Sequence, residues 1–382
     1  MTFRTLLGVL FFLSSFTACG YITPMSPPAP EGESRSAPST ASSSQSPPAL
    51  PERIDRELEA EIARIAESSG GKVGVGAVLV ETGDAVWLDR EGRFVSQSVY
   101  KLPIAMAVMK MIDDGRVRID QDVSITPDDY VRRGFHSPIR NVNLHGTIMP
   151  VGEIVRYSIS ESDGTASDVL LDLAGGPAAV QSYLASIGIT DFIVADSEKS
   201  ISKDWETQYR NWATPQASID LLRAIHERKA GLSEWTTSFL LSTMTFSETG
   251  GRRLKRGLPR GATLAHKTGT GGRPTEVPGF RQNSDTEVKT TPTPAATPKT
   301  SAKANSSTNS ANTENRPPVN PNAVTSATND IGIITLPGGR HILIAVYVMD
   351  SAEDGWTRER AIADIAKAIC DKWYSDDQTA SK

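Results

Sequence analysis

A serine and a lysine stand three residues apart, at Ser98 and Lys101, and this pair can do nucleophilic chemistry. On a helix, positions i and i+3 share one face, so the hydroxyl and the amine would meet. A serine hydroxyl becomes a useful nucleophile once a neighbouring base removes its proton. A buried lysine can be that base, because burial disfavours the charged form of an amine. The pair therefore predicts covalent catalysis with Ser98 as nucleophile and Lys101 as its base.

An apolar run follows this pair and keeps helical spacing from Leu102 to Ile112. Its length and spacing predict a buried helix with Ser98 and Lys101 at its N-terminal end. Backbone N–H groups at such an end would also stabilise an oxyanion as it forms. A second Ser-x-x-Lys, at residues 200–203, lies in a polar stretch for which no helix is predicted. The spacing alone therefore does not identify a catalytic pair, and other residues must support it.

Three further segments carry residues that suit the same chemistry. They are Ser162-Asp163-Gly164 at a break in helical sequence, Lys267-Thr268-Gly269-Thr270 at the end of a predicted strand, and Glu198 in an irregular loop. Taken singly, they fit a helix cap, an exposed strand end and a solvated carboxylate. In this order, however, Ser-x-x-Lys, Ser-Asp-Asn and Lys-Thr-Gly are motifs of class A β-lactamases and penicillin-binding proteins. This sequence has the first and third motifs intact and Ser-Asp-Gly for the second.

The sequence resembles class A β-lactamases well outside the motifs, from about Ile54 to Trp373. Residues 162–177 are similar to the central helix of that family, and residues 330–337 to its penultimate strand. The resemblance implies the α/β (α+β) fold of serine β-lactamases and penicillin-binding proteins. That fold has an antiparallel sheet flanked by helices and an all-helical lobe, with the active site between them. Predicted strands near both ends of the domain independently predict a sheet that both termini build.

The resemblance also implies roles for the catalytic residues. Ser98 would open the lactam ring, and Lys101 would accept or relay its proton. Ser162 would pass a proton to the leaving lactam nitrogen, with electrostatic support from Lys267. The backbone N–H groups of Ser98 and Thr270 would form the oxyanion hole, where the loss of one donor typically costs about 10²–10³ in rate.

The same resemblance implies a substrate-binding set, which comprises Thr268, Gly269, Thr270, Gly164, Ser202, Arg253 and His136. Thr268 and Thr270, together with Lys267, would hold the substrate carboxylate. Gly164 stands where the family usually has an asparagine, so a side-chain amide that would contact the substrate's acylamide is missing. His136 occupies the gate of the cleft, where an aromatic residue is common.

An arginine would complete the carboxylate site, and two candidates are adjacent. Arg253 lies fourteen residues before Lys267 and matches one of the two positions that the family uses. Arg252 is the alternative candidate. The usual interpretation of such a run of basic residues is a solvated turn, and it applies to both arginines. The family's other position falls at Asn329-Asp330, so no arginine stands there.

Two glutamates, Glu198 and Glu206, compete for the role of deacylating base. Glu206 follows a tryptophan, as the base does in many class A enzymes. Glu198 lies eleven residues before Tyr209, which matches a subgroup whose loop ends in Gln-Tyr-x-Asn-Trp-x-Thr-Pro. We therefore assign the base to Glu198, which would activate a water against the acyl-enzyme, with Ser202 to position that water. Asp168 stands where many members have an asparagine, so we expect it to hold the loop differently.

Composition limits the partners. A net charge of −5 over 382 residues suggests neither nucleic acid nor an anionic membrane surface. Five histidines and two cysteines disfavour a Cys/His zinc site, and the implied reaction needs no metal and no organic cofactor. We expect a monomer that acts on a small β-lactam. Two alternatives remain: a D,D-peptidase or penicillin-binding protein that shares the nucleophile, and a catalytically inactive surface lipoprotein of the same fold.

Residues 1–19 have the pattern of an export signal, with one positive charge, a short apolar run and small residues before Cys19. The apolar run is too short to span a membrane. Its ending resembles a bacterial lipoprotein signal, which implies a lipid anchor on Cys19 and a periplasmic or cell-surface location. An ordinary signal peptide cut near Ala18 is the alternative. Residues 20–54 are rich in Pro, Ser and Ala and predict a flexible, disordered tether.

The globular domain is expected to span residues 55–375, interrupted by a disordered insertion at about 273–327. The insertion is low in aliphatic residues, with low-complexity runs such as residues 290–298. It begins at the end of the Lys267 strand, so we expect it to leave the core fold intact and to cover one rim of the cleft loosely. Cys370 lies in a terminal helical pattern and is expected to be a buried apolar residue.

Overall fold

The structure, a computed structural model, describes residues 50–272 and 325–380. The export signal with Cys19, nearly all of the tether and most of the predicted insertion lie outside these residues. Two boundaries differ from the prediction. Arg53–Ile54, assigned to the tether, form a short strand. The strand after the insertion, predicted to begin at Asp330, begins at Thr325, within the predicted insertion.

Most of the β-structure belongs to one sheet. The strands, in chain order, are β1 (Arg53–Ile54), β2 (Lys72–Leu79), β3 (Asp84–Leu88), β4 (Phe94–Val95), β5 (Asp122–Ile125), β6 (Thr147–Pro150), β7 (Phe192–Ile193), β8 (Trp212–Ala213), β9 (Thr263–Thr270), β10 (Thr325–Thr335) and β11 (His341–Ser351). Six of them form the main sheet in the order β1-β3-β2-β11-β10-β9. β4, β8 and β7 form a small second sheet, and β5 pairs with β6.

Both ends of the domain build the main sheet, as predicted. β2 lies beside β11, with Leu79 opposite Ile342, and β11 lies beside β10. These neighbours are antiparallel, but the edge strand β1 runs parallel to β3. The sheet is therefore mixed rather than antiparallel throughout. A helix and β2 lie between β1 and β3 along the chain, and together they form the long connection that a parallel pair requires.

Helices cover both faces of this sheet. In chain order they are α1 (Arg56–Glu67), α2 (Lys101–Asp113), α3 (Pro138–Val142), α4 (Val151–Ile159), α5 (Gly164–Ala174), α6 (Pro177–Ser186), α7 (Glu198–Ile201), α8 (Pro215–His226), α9 (Glu234–Thr245), α10 (Leu254–Gly257) and α11 (Gly355–Ala380). Short 3-10 turns lie at 97–100, 127–129 and 206–210. Within residues 50–272 and 325–380, no helix has the length and apolar character needed to cross a membrane.

The central helix α2 is buried on every side from Lys101 to Met109. Its apolar run has no polar face, which is typical of a helix inside a core. α5, α6 and α9 pack around it, and α8 lies against the sheet. Because this lobe shares one hydrophobic core with a face of the sheet, the N-terminal end of α2 is held between the sheet and the helices.

The other face of the sheet is covered by α1 and α11. α1 turns Leu58 and Ile62 inward and most of its charged residues toward solvent. α11 adds Ile365 and Trp373 to the same core. Cys370 is fully buried there, as predicted. A helical layer therefore lies on each face of the sheet, which confirms the predicted α/β architecture.

Two segments contain more regular structure than their sequence indicates. The turn-rich residues 113–150 include the antiparallel pair β5 and β6. The polar stretch with the second Ser-x-x-Lys forms the short helix α7, which includes Ser200, but Lys203 is exposed beyond its end. This second pair does not share a buried face, so it lacks the setting that Ser98 and Lys101 have.

Candidate active site

Ser98 lies in the 3-10 turn that leads directly into α2. The residue before it, Gln97, has a left-handed backbone with a φ of 45°. Non-glycine residues rarely adopt this conformation, so surrounding contacts must hold it. Gln97 Nε2 donates to Gln208 Oε1 at 2.7 Å and to Ser326 Oγ at 3.2 Å. These bonds connect the nucleophile's turn to the loop of Glu198 and to β10.

Strand β9 approaches the same turn closely at Gly269. A Cβ on Gly269 would lie 2.4 Å from the carbonyl oxygen of Ser96, so only glycine fits there. On the neighbouring β10, Asn329 Nδ2 donates to the carbonyl oxygens of Val95 at 2.7 Å and Ser96 at 3.2 Å. The end of the sheet and the start of α2 are thereby held against each other.

Lys101 connects two other predicted site residues. It is 1% exposed, and its Nζ donates to the carbonyl oxygen of Ser162 at 2.7 Å. The same nitrogen lies 2.9 Å from Glu198 Oε1. A buried ion pair tolerates the loss of solvent only when its partners are well hydrogen-bonded. This contact brings the two predicted proton acceptors together.

Ser162 lies at the break between α4 and α5, with a left-handed φ of 60°. Asp163 stabilises this turn, because its carboxylate caps α5 and also accepts from the N–H of Ile139 at 2.7 Å. A left-handed backbone is strained at a residue other than glycine, and it persists only where surrounding contacts hold it in place. The turn directs the carbonyl oxygen of Ser162 to Lys101 and its hydroxyl to Lys267.

Lys267 is fully buried on β9. Its Nζ donates to Ser162 Oγ at 2.9 Å and to the carbonyl oxygen of Thr268 at 3.1 Å. Burial and the positive charge of Lys101 hold the pKa of Lys267 well below its ordinary value. An amine whose charged form is disfavoured in this way releases a proton more readily than an ordinary lysine. The contact therefore suits a proton path through Ser162.

The loop of Glu198 is held by Asp168 on α5. Asp168 Oδ1 accepts from the backbone N–H of Glu198 at 2.7 Å, and Oδ2 accepts from that of Lys199 at 2.9 Å. An asparagine would offer one acceptor oxygen instead of two. Burial and the negative charge of Glu198 raise the pKa of Asp168 to about 7. The loop thus depends on a carboxyl group that titrates near neutrality.

Two predicted residues of this loop lie apart from the reacting groups. Glu206, the alternative base, is exposed at the start of a 3-10 turn. Ser202 is buried, but its Oγ donates to the carbonyl oxygen of Lys199 at 2.7 Å. Ile201 and Trp205 line the cavity in their place. The role of Ser202 in positioning a water therefore stays a prediction.

Arg253, rather than Arg252, points into the site. Arg253 is 5% exposed, and its guanidinium donates to Thr270 Oγ1 at 2.6 Å and to the carbonyl oxygen of Gly269 at 3.0 Å. Arg252 is exposed and pairs with Glu359 at 2.7 Å. A buried guanidinium keeps a positive charge at the end of β9, which suits recognition of a carboxylate.

His136 lies exposed at the mouth of the cleft. Its Nε2 is 2.9 Å from the carbonyl oxygen of Glu161, and its own carbonyl oxygen accepts from the N–H of Gly164 at 2.9 Å. A Cβ on Gly164 would lie 3.1 Å from that oxygen and 3.4 Å from Glu198 Cγ. The loops that contain His136 and Glu198 therefore pack closely around Gly164, which has no side chain.

The catalytic and carboxylate-binding groups described above surround one cavity of about 510 Å³. Eight of the predicted residues line it: Ser98, Lys101, His136, Ser162, Glu198, Arg253, Thr268 and Thr270. Lys267 reaches the cavity through its contact with Ser162. The hydroxyl of Thr268 lies 2.6 Å from that of Thr249, which also lines the cavity. A nucleophile, two lysines, a carboxylate and a guanidinium thus converge on one concave surface, as a covalent hydrolase requires.

Several lining residues were not predicted from the motifs. They include Gln97, Phe135, Trp205, Gln208 and Thr249. Gln97 adjoins Ser98 in sequence, and this adjacency is the one signal that could have indicated it. The others come from loops whose path depends on the folded structure, so no spacing rule identifies them.

Comparison with known proteins gives consistent matches. A family model described as "Beta-lactamase enzyme family" matches residues 57–285. The sequence is 33% identical over 311 residues to β-lactamase VEB-1 of Pseudomonas aeruginosa, which covers 81% of this chain and 88% of that protein. It is 32% identical over 275 residues to the extended-spectrum β-lactamase PER-1 of the same organism, over 72% of this chain and 74% of that one.

The structure also resembles solved structures. A crystal structure of a β-lactamase from Chitinophaga pinensis superposes with a TM-score of 0.68 at 31% sequence identity. The match covers 83% of this chain and 99% of that one. The similarity in sequence and the similarity in fold therefore extend over the same domain.

Proposed function

Because the chain belongs to the β-lactamase enzyme family and is a class A serine β-lactamase, we propose that it cleaves its substrate through an ester on Ser98. The enzyme is a hydrolase that acts on the β-lactam amide. One observation carries the proposed assignment of residues. Lys101, Ser162, Glu198 and Lys267 meet within hydrogen-bond distance around the cavity that Ser98 lines.

In the acylation step, Ser98 Oγ attacks the lactam carbonyl carbon and gives its proton to Lys101 or, through it, to Glu198. The negative oxygen that forms would be bound by the backbone N–H groups of Ser98 and Thr270. The C–N bond then breaks, and the nitrogen takes a proton from Ser162. Lys267, 2.9 Å from Ser162 Oγ, can return that proton to Ser162. The proton taken from Ser98 must then pass from Lys101 or Glu198 to Lys267, so that Glu198 is again a carboxylate when deacylation begins.

In the deacylation step, Glu198 removes a proton from a water that attacks the ester carbon. The bond to Ser98 Oγ breaks, and the proton returns to that oxygen. The 2.9 Å contact with Lys101 and the two backbone bonds from Asp168 hold the Glu198 loop in place for this role. The substrate carboxylate would lie against Thr268, Thr270 and Arg253, where Arg253 brings a buried positive charge.

Replacement of the two glutamates tests this assignment. Glu198→Gln should lower turnover of a chromogenic cephalosporin by about 10²–10⁴, the usual contribution of a general base. The acylated protein should then accumulate and be detectable by intact mass. Glu206→Gln is the matched control and should turn over like the wild type. Unaltered turnover of Glu198→Gln, or loss of turnover in Glu206→Gln, would contradict the assignment.

The same experiment separates the enzyme from its rivals. A D,D-peptidase or penicillin-binding protein would be acylated once by the cephalosporin and would stall. A catalytically inactive lipoprotein would not be labelled on Ser98 by a fluorescent penicillin. Repeated turnover by the wild type, with labelling that depends on Ser98, fits only the β-lactamase.

The substrate range is a further proposal. PER-1 carries "extended-spectrum" in its name, and we propose that this enzyme likewise accepts β-lactams with bulky acylamino side chains. Gly164 supports this, because no side chain projects at the position where an asparagine would contact the acylamide. Hydrolysis rates for a penicillin and a cephalosporin panel, graded by the size of that side chain, test it. Rates that fall steeply with size would contradict the proposal.

The location of the enzyme also remains a proposal. We propose export through the signal at residues 1–19, lipid attachment at Cys19, a periplasmic or cell-surface location and a monomeric state. The small residues before Cys19 support the lipid anchor. Metabolic labelling with a clickable fatty acid should mark the wild type and not Cys19→Ser. Light scattering of the soluble domain should give the mass of one chain.

A further inference from the structure

Three side chains from separate elements meet far from the catalytic cavity. Glu81 lies in the turn after β2, His226 is the last residue of α8, and His341 is the first residue of β11. One ligand atom from each lies within 4.8 Å of the others. The two imidazole rings are in contact, with centroids 4.5 Å apart. Nothing in the proposed reaction uses these residues.

Two of the three are held in place by the backbone. The N–H of His341 donates to Glu81 Oε2 at 2.9 Å, and His341 Nδ1 lies 2.8 Å from Glu81 Oε1. The N–H of Val80 also donates to the carbonyl oxygen of His341 at 2.9 Å. The carboxylate and one ring are therefore fixed relative to the sheet.

The third side chain, His226, is available to bind an ion. Its ring forms no hydrogen bond with any residue in the described part of the chain, yet it faces the His341 ring. The His226 ring is half-buried against the His341 ring, so its position is defined. A neutral imidazole nitrogen is the form that binds a metal ion.

We propose that Glu81, His226 and His341 form a binding site for a divalent transition-metal ion, with Zn²⁺ as the best match. Two imidazole nitrogens and one carboxylate oxygen are ligands that zinc accepts, and a water would complete four-coordination. Zinc bonds of about 2.0–2.2 Å place ligand atoms about 3.3–3.6 Å apart in a tetrahedron. The ligand atoms need only small shifts to reach this spacing, and the side chains of His341 and Glu81 are 31% and 35% exposed, so an ion in solution can reach them.

The surroundings favour a cation at this place. His226 ends α8, and the C-terminal end of a helix carries a partial negative charge that attracts positive ions. The bound ion would join this helix end to the turn after β2 and to the start of β11. Its effect would be to stabilise the junction of one helix and two strands.

The site is too remote to act on the substrate. Along β10, Thr328 pairs with Thr270 at the cavity, whereas Thr335 pairs with His341. A seven-residue length of strand spans about 23 Å. Turnover of β-lactams should therefore not depend on the ion, and it can serve as a test that each variant is folded.

The experiment uses the purified enzyme after removal of metal with EDTA. Calorimetric titration with Zn²⁺ should give one ion per chain, and Zn²⁺ should raise the Tm. His226→Ala and His341→Ala should each weaken binding by at least the roughly 10–100-fold that loss of an outer-shell partner costs, and should lose the rise in Tm. Glu81→Gln, which keeps both rings, should weaken binding as well. All variants should keep wild-type turnover of the cephalosporin.

The matched control is His145→Ala, which removes an exposed histidine outside the cluster. This variant should bind Zn²⁺ like the wild type and keep the rise in Tm. Absence of binding by the wild type, or wild-type binding by both His226→Ala and His341→Ala, would overturn the proposal. So would loss of binding in His145→Ala. Binding of Co²⁺ should give the intense visible bands of four-coordinate cobalt in the wild type and weak bands in His226→Ala.

Discussion

At the scale of single residues, the adjacent Arg252 and Arg253 both pair with Glu359, but only Arg253 is buried against β9. Arg253→Ala removes a buried guanidinium that donates to Thr270. Charge-assisted hydrogen bonds contribute about 1.5–3 kcal/mol, so kcat/KM should fall about 10–100-fold, mainly through KM. Steady-state kinetics with a penicillin measure this. The control Arg252→Ala removes an exposed side chain and leaves Glu359 paired with Arg253, so its kcat/KM should stay within about twofold.

Arg253 also donates to two backbone carbonyl oxygens, so its removal could destabilise the domain. Arg253→Lys separates the two effects, because it keeps the charge and loses the planar fork. Thermal unfolding of both variants should accompany the kinetics. Equal kinetics in Arg252→Ala and Arg253→Ala would mean that the carboxylate is bound elsewhere.

Asp168 makes the free energy of unfolding depend on pH. The folded state raises its pKa to about 7, whereas an unfolded aspartate titrates near about 3.9. Between these values the folded protein holds a proton that the unfolded chain has lost, so stability falls as pH rises through this window. Asp168→Asn removes this titration.

The variant should therefore gain stability relative to the wild type as pH rises from about 5 to about 8. Asp168→Asn should also lower the free energy of unfolding by a constant amount at every pH. The asparagine amide has one acceptor oxygen, so one of the two backbone N–H groups loses its bond. Urea unfolding at both pH values measures the two effects separately. Parallel pH profiles would contradict the raised pKa of Asp168.

Single residues differed in how far the sequence could identify them. Counting from Tyr209 favours Glu198 over Glu206, and in the structure Glu198 contacts Lys101 at 2.9 Å. Counting back from Lys267 likewise favours Arg253. Gln97 could not be found this way, because its left-handed backbone follows from contacts with distant residues. The spacing of residues along the chain does not indicate such long-range contacts.

At the scale of elements, the close approach of β9 to the nucleophile's turn depends on Gly269. Gly269→Ala places a methyl group 2.4 Å from the carbonyl oxygen of Ser96. The strand must move away, and with it the N–H of Thr270, so turnover should fall by about 10²–10³. The control Gly251→Ala adds a methyl group into open space and should be neutral. The two variants are compared by their turnover of a chromogenic cephalosporin. Near-wild-type turnover of Gly269→Ala would show that β9 can shift without moving the N–H of Thr270 out of place.

Elements with strong sequence patterns were predicted, and weak ones were missed. α2 has an unbroken apolar run, and its burial follows directly. β5 and β6 are four residues each; β5 alternates polar and apolar residues over too short a stretch to be distinctive, and β6 does not alternate. α7 is similarly short, and it forms where Asp168 accepts the backbone N–H groups of its first turn. Tertiary contacts, rather than propensity, decide such segments.

At the scale of the whole molecule, the predicted insertion joins two paired strand ends. The N–H of Gly271 donates to the carbonyl oxygen of Ala327 at 2.9 Å, and that of Ser326 to Gly272 at 3.3 Å. Deletion of residues 275–322 leaves 273–274 and 323–324 to close the hairpin, which is a common loop length. For a flexible loop, as predicted here, this shortening lowers the closure cost by about 2 kcal/mol.

The deletion should therefore give soluble protein with near-wild-type turnover and an equal or higher Tm. Its effect on KM should be small, and larger for bulky substrates if the segment covers the rim of the cleft. Expression, thermal unfolding and kinetics of the deletion variant measure these outcomes. Failure to obtain soluble protein would mean that the segment contributes to the core.

The architecture as a whole could be predicted because its signals are distributed over the chain. Apolar strands near both termini and helical sequence between them suffice to predict a sheet with a helical lobe. The parallel edge strand β1 was assigned to the tether, because two residues beside a proline-rich stretch carry no pattern. Its place in the sheet is decided by hydrogen bonds to β3, which only the folded chain contains.

The pairing of β2 with β11 has a consequence for biosynthesis. Leu79 cannot meet Ile342 until nearly all of the polypeptide has emerged from the ribosome. A nascent chain therefore lacks the centre of its sheet throughout translation, since domains complete only when their distant contacts are available. Under the export proposed above, the precursor must stay unfolded in a translocation channel, and this topology keeps the sheet open until Ile342 has been made.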